Sequence, residues 1–301
     1  FALMSIGEDP VKPVAEVADD LALEDRWILS RVAMASAEAT RGLERFRLHE
    51  VAEGLYHFFW GEVCDWYLEL VKSRLGPDAD PATREAARST LVAVLDNAFR
   101  LLHPIVPFVT AELWSRLPCP EGEDRPEDLI IAPWPETLEA WRDEDVERRF
   151  GDLQGLIVEV RRLRKEYGVT EGKRIGIHLS GGPKDFGASV SAQAAAMVQL
   201  CRVDRIELGA GAGVGANAVL TNGAELFIPL GGVIDLEHER SRMLAEIGKL
   251  EGVLKGAQAR LSNEKFVSNA PENVVQKARE NATQLEEQVR KLGAKLAGLG
   301  D

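Results

Sequence analysis

The side chains of this sequence that could perform catalysis lack the spacing that common enzyme mechanisms require. The five histidines and three cysteines form no metal-ligand pattern, and there is no GxxxxGK[ST], HExxH or GxSxG motif. The glycine-rich run 209–215 is followed by neither the helix start nor the ribose-binding acid of a dinucleotide loop, so we interpret it as a flexible connection. We therefore expect no catalytic residue, no metal and no cofactor within this chain.

A cluster of aromatic and acidic side chains between residues 58 and 69 could instead bind a nucleic-acid base. Aromatic rings stack on bases, and carboxylates accept hydrogen bonds from their exocyclic amines. Helical spacing makes core packing the default interpretation for Phe58, Phe59 and Trp66, and acids on the opposite face are usually just solvated. The residues concerned are Phe58, Phe59, Trp60, Glu62, Asp65, Trp66, Tyr67 and Glu69. Both interpretations stay open at this point.

The charge distribution restricts where a polyanion could bind. The net charge of the 301-residue chain is −13, whereas phosphate binding requires clustered lysine and arginine. Residues 161–174 hold six basic and two acidic residues, and residues 235–301 hold eleven of each. Any nucleic-acid surface must therefore be local. Arg161, Arg164 and Lys165 are candidates for such a surface, with a merely solvated helix face as the alternative.

The elements that must position these residues are mainly helical. Hydrophobic periodicity predicts two helices within 21–75 and a third from Thr83 to His103. The second helix carries an apolar stripe of Leu48, Val51, Leu55, Phe58, Phe59, Val63, Trp66 and Leu70. Pro104 and Pro107 indicate a kinked helix or two helices that meet. An exposed loop, 118–134, ends in apolar contacts from Ile130, Ile131 and Trp134, and another helix covers 150–167.

After Gly168 the period changes to that of strands. Alternation predicts strands at 174–179 and 203–208, with an Ala-rich helix, 190–200, between them. Two short apolar runs in 219–230 flank the turn residues Asn222 and Gly223. This segment is a small α/β unit.

The last segment has the heptad spacing of a coiled coil. Apolar residues follow one step of seven and then steps of four and three from Leu236 to Leu261, and steps of three and four from Val275 to Leu299. Pro271 suits the first turn of the second helix. Two matched helices with a short connection bury their seams against each other only if they are antiparallel. We therefore predict an antiparallel coiled-coil hairpin with arms of roughly 39 Å.

The predicted fold is mainly α, with a helical bundle, a small α/β unit and a coiled-coil hairpin. We divide the chain into a residual stem or linker, 1–20, the bundle, 21–168, the α/β unit, 169–232, and the coiled-coil arm, 233–301. The chain begins at Phe1 with neither an initiator methionine nor a signal-peptide pattern, so we expect a piece of a longer protein. Three widely spaced cysteines indicate a reducing, cytoplasmic setting. No apolar run is long enough to predict a membrane span.

Several motifs, in order, resemble class I aminoacyl-tRNA synthetases for branched aliphatic amino acids. Asp25–Arg31 (DRWILSR), Phe59–Lys72 (FWGEVCDWYLELVK), Leu102–Trp114 (LHPIVPFVTAELW) and Ala132–Pro135 (APWP) are similar to landmarks of their anticodon-binding helical domain. The tail NEKFVSNAP, 263–271, with Val274, Val275 and Lys277, resembles the C-terminal coiled coil of valyl-tRNA synthetases. The HIGH and KMSKS signatures of ATP binding are absent from this sequence. The resemblance therefore implies a tRNA-binding portion that does not aminoacylate by itself.

The resemblance also implies which residues contact RNA. The helix bearing Cys64, Trp66, Leu68 and Glu69 would line the anticodon pocket, with Leu68 as an apolar contact and Glu69 as a polar one. Outward basic residues of the arm would hold the outer corner of the tRNA, namely Lys255, Arg260, Lys265, Lys277 and Arg279. The implied partners are tRNA(Val) and the catalytic and editing domains of a parent enzyme, which would use ATP. We expect a monomer.

Two alternatives remain at this point. Antiparallel coiled coils also serve as protein-binding arms, so a protein-interaction adaptor would have a similar composition and heptad pattern. An equivalent portion of an isoleucyl- or leucyl-type synthetase would share the bundle motifs, but the heptad tail disfavours it.

Overall fold

The computed structural model describes residues 1–135, 139–269 and 271–298, apart from the side chains of Glu239, Glu264, Lys265 and Asn269. It is mainly helical with one small sheet, which confirms the predicted fold class. The chain forms two compact units, Phe1–Asp152 and Leu153–Asp301, so the finer division into four domains stays a prediction. No helix in the described part of the chain is long and apolar enough to cross a membrane.

Helix α2 (Leu23–Glu44) organises the first unit, after the short helix α1 (Ala2–Ile6) and a 3₁₀ segment (Val14–Asp20). The Asp25 side chain caps its first turn by accepting from the backbone N–H of Ala22 at 2.9 Å. Trp27 is buried and stacks on Phe150, with ring centroids 4.0 Å apart. Near its end, Gly42 permits close approach of the next helix, because a Cβ at that position would lie 2.4 Å from Val51 Cγ2.

The next helix, residues 48–71, is not the regular α-helix that we predicted. Between α3 (Leu48–Tyr56) and α4 (Leu68–Val71) lies a π-helical segment, His57–Tyr67, where the Leu68 N–H donates to the Val63 carbonyl. The wider turn places Phe58, Val63 and Tyr67 in the core. The predicted stripe therefore missed Tyr67 and wrongly included Leu48, which is 61% exposed.

Two helices meet at the prolines of the next segment. Helix α5 (Pro81–Leu102) begins at the N-cap Asp80, whose side chain accepts from the Thr83 N–H, and α6 (Pro107–Ser115) begins at a proline. In the following loop, which has 3₁₀ turns at Leu129–Ile131 and Glu139–Trp141, the predicted apolar contacts are wrong in part. Leu129 is buried, whereas Ile130 and Ile131 are exposed. Trp134 does pack on the core.

The second unit contains the strands, after helix α7 (Glu144–Glu166). Strands β1 (Ile175–Gly181), β2 (Val203–Leu208), β3 (Gly215–Val219) and β4 (Ala224–Pro229) form a sheet of order β2-β1-β4-β3. β1 pairs with β2 in parallel and with β4 antiparallel. The predicted crossover helix is two helices, α8 (Phe186–Ala192) and α9 (Ala194–Cys201). The glycine-rich connection packs closely, since a Cβ at Gly211 would lie 2.0 Å from the Phe227 ring.

The coiled-coil seam is confirmed on the described residues. Helices α10 (Leu236–Leu261) and α12 (Glu272–Gly298) pack against each other, and the short helix α11 (Glu264–Asn269) connects them. Every described seam residue is buried or half-buried, whereas the described positions between them are exposed apart from the half-buried Arg240 and Lys295. Gln258 on α10 donates to Glu286 on α12 at 2.8 Å, which ties the helices together beside the seam. Leu299 lies outside the described residues.

Candidate nucleic-acid interface

The predicted base-contacting residues lie where the π-helical segment passes into α4. Cys64 and Trp66 belong to the π-helical segment, and Leu68 and Glu69 begin α4. All four are half-buried, so each presents part of its side chain to solvent. We call the exposed parts of Cys64, Leu68 and Glu69 the Glu69 surface. The structure brings these residues onto one stretch of helix, and their contact with RNA stays a prediction.

A buried polar network holds this stretch of helix in place. The Tyr67 hydroxyl donates to Asp25 Oδ1 at 2.8 Å, and Arg74 Nη1 lies 2.6 Å from Asp25 Oδ2 and 3.1 Å from Glu24 Oε1. Asp25 and Tyr67 are fully buried. Leu68 and Glu69 are therefore fixed between two anchors on α2. Sequence reasoning missed Tyr67 and Arg74, because no spacing signal connects them to an acid more than 40 residues earlier.

Electrostatics keep the members of this network in fixed charge states. Burial, followed by the negative charge of Asp25, raises the pKa of Tyr67 well above its ordinary value, so the phenol stays a donor. Burial opposes the charged form of Arg74, but Asp25 and Glu24 outweigh it and raise the pKa of Arg74. The network therefore keeps Tyr67 as a neutral donor and Arg74 as a cation.

The structure favours a packing role for Trp66. Its ring meets the Phe150 ring edge-on, with centroids 6.3 Å apart, and Phe150 is itself stacked on Trp27. This supports the core interpretation that the sequence left open beside base stacking. At Cys64, burial and then the Asp65 carboxylate raise the thiol pKa, so Cys64 offers a neutral thiol rather than a thiolate.

The acids of this helix are not equivalent. Glu62, which the sequence grouped with solvated acids, is instead held by Arg31, with Nε–Oε2 and Nη2–Oε1 distances of 2.7 and 2.8 Å. Arg31 also reaches Glu147 at 3.0 Å. Glu69 pairs with Lys72, and both side chains are about 40% exposed. An ion pair this accessible is weak, so Glu69 can exchange Lys72 for a base amine at small energetic cost.

The distal half of the hairpin contains a groove where basic side chains from both helices meet. Arg260 on α10 and Lys277 on α12 line a groove of about 470 Å³. Val253, Gly256, Ala257, Val274, Ala278 and Asn281 complete its lining. Two cations beside small and apolar side chains suit a sugar–phosphate backbone, whose phosphates need charge and whose sugars need contact area. We call this feature the arm groove.

Lys255 and Arg279, two other predicted arm residues, do not line the groove. Lys255 and Arg279 are exposed on α10 and α12. The side chain of Lys265 lies outside the described part of the chain. The Arg260 guanidinium lies 4.3 Å from the centroid of the Phe266 ring, a cation–π contact that orients it at the end of α10. Phe266 was not predicted, and the sequence signal for it was its place in the NEKFVSNAP segment.

The three basic residues of α7 that we predicted as RNA contacts do not form one surface. Arg164 is 7% exposed and its Nη2 donates to the Thr170 carbonyl at 2.8 Å, so it secures the chain that follows α7. Burial lowers the pKa of Arg164. Arg161 is exposed and its Nε donates to the Leu200 carbonyl at 2.9 Å, while Lys165 is exposed. This geometry favours a structural role for Arg164 and leaves Lys165 most open to a ligand.

Comparison with known families defines the class of this protein. Residues 25–179 match the family described as "Anticodon-binding domain of tRNA ligase". Residues 235–300 match "Valyl tRNA synthetase tRNA binding arm". The chain therefore belongs to the anticodon-binding domain family of tRNA ligases. Because the arm follows that domain, the chain corresponds to the C-terminal region of valyl-tRNA synthetases.

The names of similar proteins agree with these family matches. The chain is 36% identical over 296 residues to valine–tRNA ligase of Desulfotalea psychrophila, which covers 97% of this chain and 33% of the relative. It is 37% identical over 281 residues to that of Nocardia farcinica, covering 92% and 30%. With that of Dehalococcoides mccartyi strain 195 the identity is 37% over 301 residues, covering 97% and 32%. The chain thus spans about a third of the length of these relatives.

Proposed function

We propose that this chain holds tRNA(Val) at two separated places, the Glu69 surface and the arm groove. The observation that carries this is the arm groove, where Arg260 and Lys277 from two different helices meet at the distal half of a hairpin. Seam side chains are committed to packing, so the arm can bind only through such outward groups. The two matched family descriptions support tRNA as the ligand.

The proposed mechanism is positioning. At the Glu69 surface, an unstacked anticodon base would receive apolar contact from Leu68, and its exocyclic amine would donate to Glu69. At the arm groove, Arg260 and Lys277 would bind phosphates of the outer corner. Holding a rigid RNA at two points fixes its third extremity, the acceptor end. The relatives are named valine–tRNA ligase, and we propose that ATP and valine bind outside the region matched here. We also propose that the protein is cytoplasmic and monomeric.

Titration of labelled tRNA(Val) into the purified chain at several salt concentrations tests the arm groove. Each phosphate contact contributes about 0.7–0.9 to the slope of log K against log salt. We expect the double variant R260A/K277A to bind more weakly and to have a slope smaller by roughly 1.4–1.8. The control is R116A, since Arg116 is an exposed arginine of the first unit paired with Glu112. An equal slope for R260A/K277A and wild type would refute the arm groove. Binding of a protein from lysate instead of tRNA would favour the adaptor.

A further inference from the structure

The turn between α2 and α3 holds an aromatic residue in a conformation that packing does not require. Phe46 has φ of 57°, in the left-handed region, and its side chain is 88% exposed. The backbone forms a Schellman turn, in which the Phe46 N–H donates to the Leu43 carbonyl and the Arg47 N–H donates to the Gly42 carbonyl. Glycine is the usual residue at this position, because a Cβ is strained there. Phe46 therefore destabilises the turn without gaining burial.

Strain of this kind tends to persist where a side chain has a function. The left-handed backbone directs the Phe46 ring into solvent, beside a groove between α2 and α3 of about 440 Å³. Four arginines line that groove, Arg31, Arg41, Arg45 and Arg47, together with the acids Glu38, Glu50 and Glu62. Arginine side chains next to an exposed ring are the combination that single-stranded nucleic acids bind.

Two of these arginines are available for a ligand. Arg31 is held by Glu62 and Glu147, and Arg47 lies 3.4 Å from Glu50. Within the described residues, neither Arg41 nor Arg45 forms an ion pair, and both are exposed. Positions four apart lie on the same face of a helix. Their guanidinium groups can therefore bind neighbouring phosphates along one strand.

Exposed aromatic residues continue along the neighbouring helix. Tyr56 and Trp60 are each more than half exposed, and their ring centroids are 6.3 Å apart. His57, which also lines the groove, has its ring 5.8 Å from that of Tyr56. Solvent-facing rings one turn apart gain nothing from the core of the bundle. They are two further exposed rings on the helix that follows the Phe46 turn.

We propose that the α2–α3 corner, composed of Arg41, Arg45, Phe46, Tyr56 and Trp60, is a further RNA-contact surface. Arg41 and Arg45 bind consecutive phosphates, and Phe46 stacks on an unpaired base next to them. The inference rests on the proposed function, because it supplies a third contact for the same RNA. Arg41, Arg45 and Phe46 lie apart from the Glu69 surface: Leu48 and Glu69 are 21 positions apart on one helix, a span of roughly 30 Å. Trp60 lies between the two, four positions from Cys64.

Affinity and salt dependence of tRNA(Val) binding test the two parts of this surface separately. We expect R41Q/R45Q to reduce the salt slope by about 1.4–1.8, because two phosphate contacts are lost. We expect F46G to weaken binding by about 5- to 150-fold at every salt concentration, because one stacked base is lost without loss of charge. Glycine relieves the left-handed strain, so the Tm of F46G should equal or exceed that of wild type. Misfolding then does not explain its weaker binding.

Matched controls come from the same unit. Phe108 is exposed to a similar extent at the start of α6, and Arg116 is exposed beyond it. F108A and R116Q should bind like wild type. If F46G and R41Q/R45Q also bind within twofold of wild type while R260A/K277A binds weakly, the corner inference is wrong and the proposed function stands. If wild type itself does not bind tRNA(Val), both are wrong. A Tm of F46G well below that of wild type would overturn the strain argument.

Discussion

Replacing Tyr67 with phenylalanine removes one buried hydrogen bond and keeps the ring, so the structure defines its cost. The fully buried Asp25 carboxylate accepts from Tyr67 at 2.8 Å and Ala22 at 2.9 Å and contacts Arg74 at 2.6 Å. A buried hydrogen bond to a charged group contributes about 1.5–3 kcal/mol. Because two partners remain in Y67F, we expect a loss of about 1.5–2 kcal/mol in the free energy of unfolding.

Urea unfolding followed by tryptophan fluorescence measures this loss in the relevant unit. All six tryptophans lie between residues 27 and 141, so the signal reports on Phe1–Asp152. The control is Y56F, since the Tyr56 side chain is largely exposed. Y56F should change the free energy of unfolding by less than about 0.5 kcal/mol. A Y67F value as small as that of Y56F would refute the claim that this network anchors the helix.

The same variant has a signature in its pH dependence. The pKa of Tyr67 is raised above the ordinary 10.0, first by burial and then by Asp25. The native state therefore keeps a proton that the unfolded state loses above about pH 10. The contribution of Tyr67 is complete below that pH and declines above it. Because phenylalanine does not titrate, the stability gap between wild type and Y67F should narrow above pH 10. A gap that widens there would contradict the assignment.

Three further predictions concern other parts of the chain. G42A should lower the free energy of unfolding by about 1–3 kcal/mol, because the new Cβ would overlap Val51; wild-type stability in the same urea titration would disprove this close contact. Burial raises the pKa of Cys201 to about 11, so iodoacetamide at pH 8 should modify Cys201 only after unfolding, and rapid labelling of the native protein would be inconsistent with that. E69Q should reduce discrimination between tRNA(Val) and an anticodon variant by roughly tenfold with an unchanged Tm, since its ion pair with Lys72 is exposed; an equal loss for both RNAs would argue against base contact.

Periodicity and family motifs predicted the elements well where a regular repeat governs burial. The heptad steps of 236–261 and 275–298 are reproduced residue by residue, because a seam facing a single partner obeys one period. The prolines at 104 and 107 marked the junction of α5 and α6, because a proline interrupts a helix through local steric effects. The repeat failed in residues 57–67, where π-helical hydrogen bonding changes which side chains face inward. A search for a 3.6-residue period does not detect that change.

The candidate surfaces were predictable only in part. Family motifs pointed to Glu69, Arg260 and Lys277, and the structure adds that the last two line one groove. The Asp25–Tyr67–Arg74 network depends on contacts between distant parts of the chain, which no local pattern encodes. Arg164 was predicted to lie on an RNA-binding surface because it belongs to a cluster of basic residues. Its side chain instead turns inward and donates to a backbone carbonyl. A cluster of basic residues in the sequence does not show which of their side chains face solvent; the fold determines that.

Hydroxyl-radical footprinting of tRNA(Val) bound to this chain tests most directly whether one RNA is held at separate places. We expect protection of the anticodon loop and, independently, of the outer corner of the tRNA. In R260A/K277A, protection of the outer corner of the tRNA should be lost and protection of the anticodon loop should be retained. A single protected patch, or a pattern of protection that R260A/K277A leaves unchanged, would contradict binding of the tRNA at two separate places.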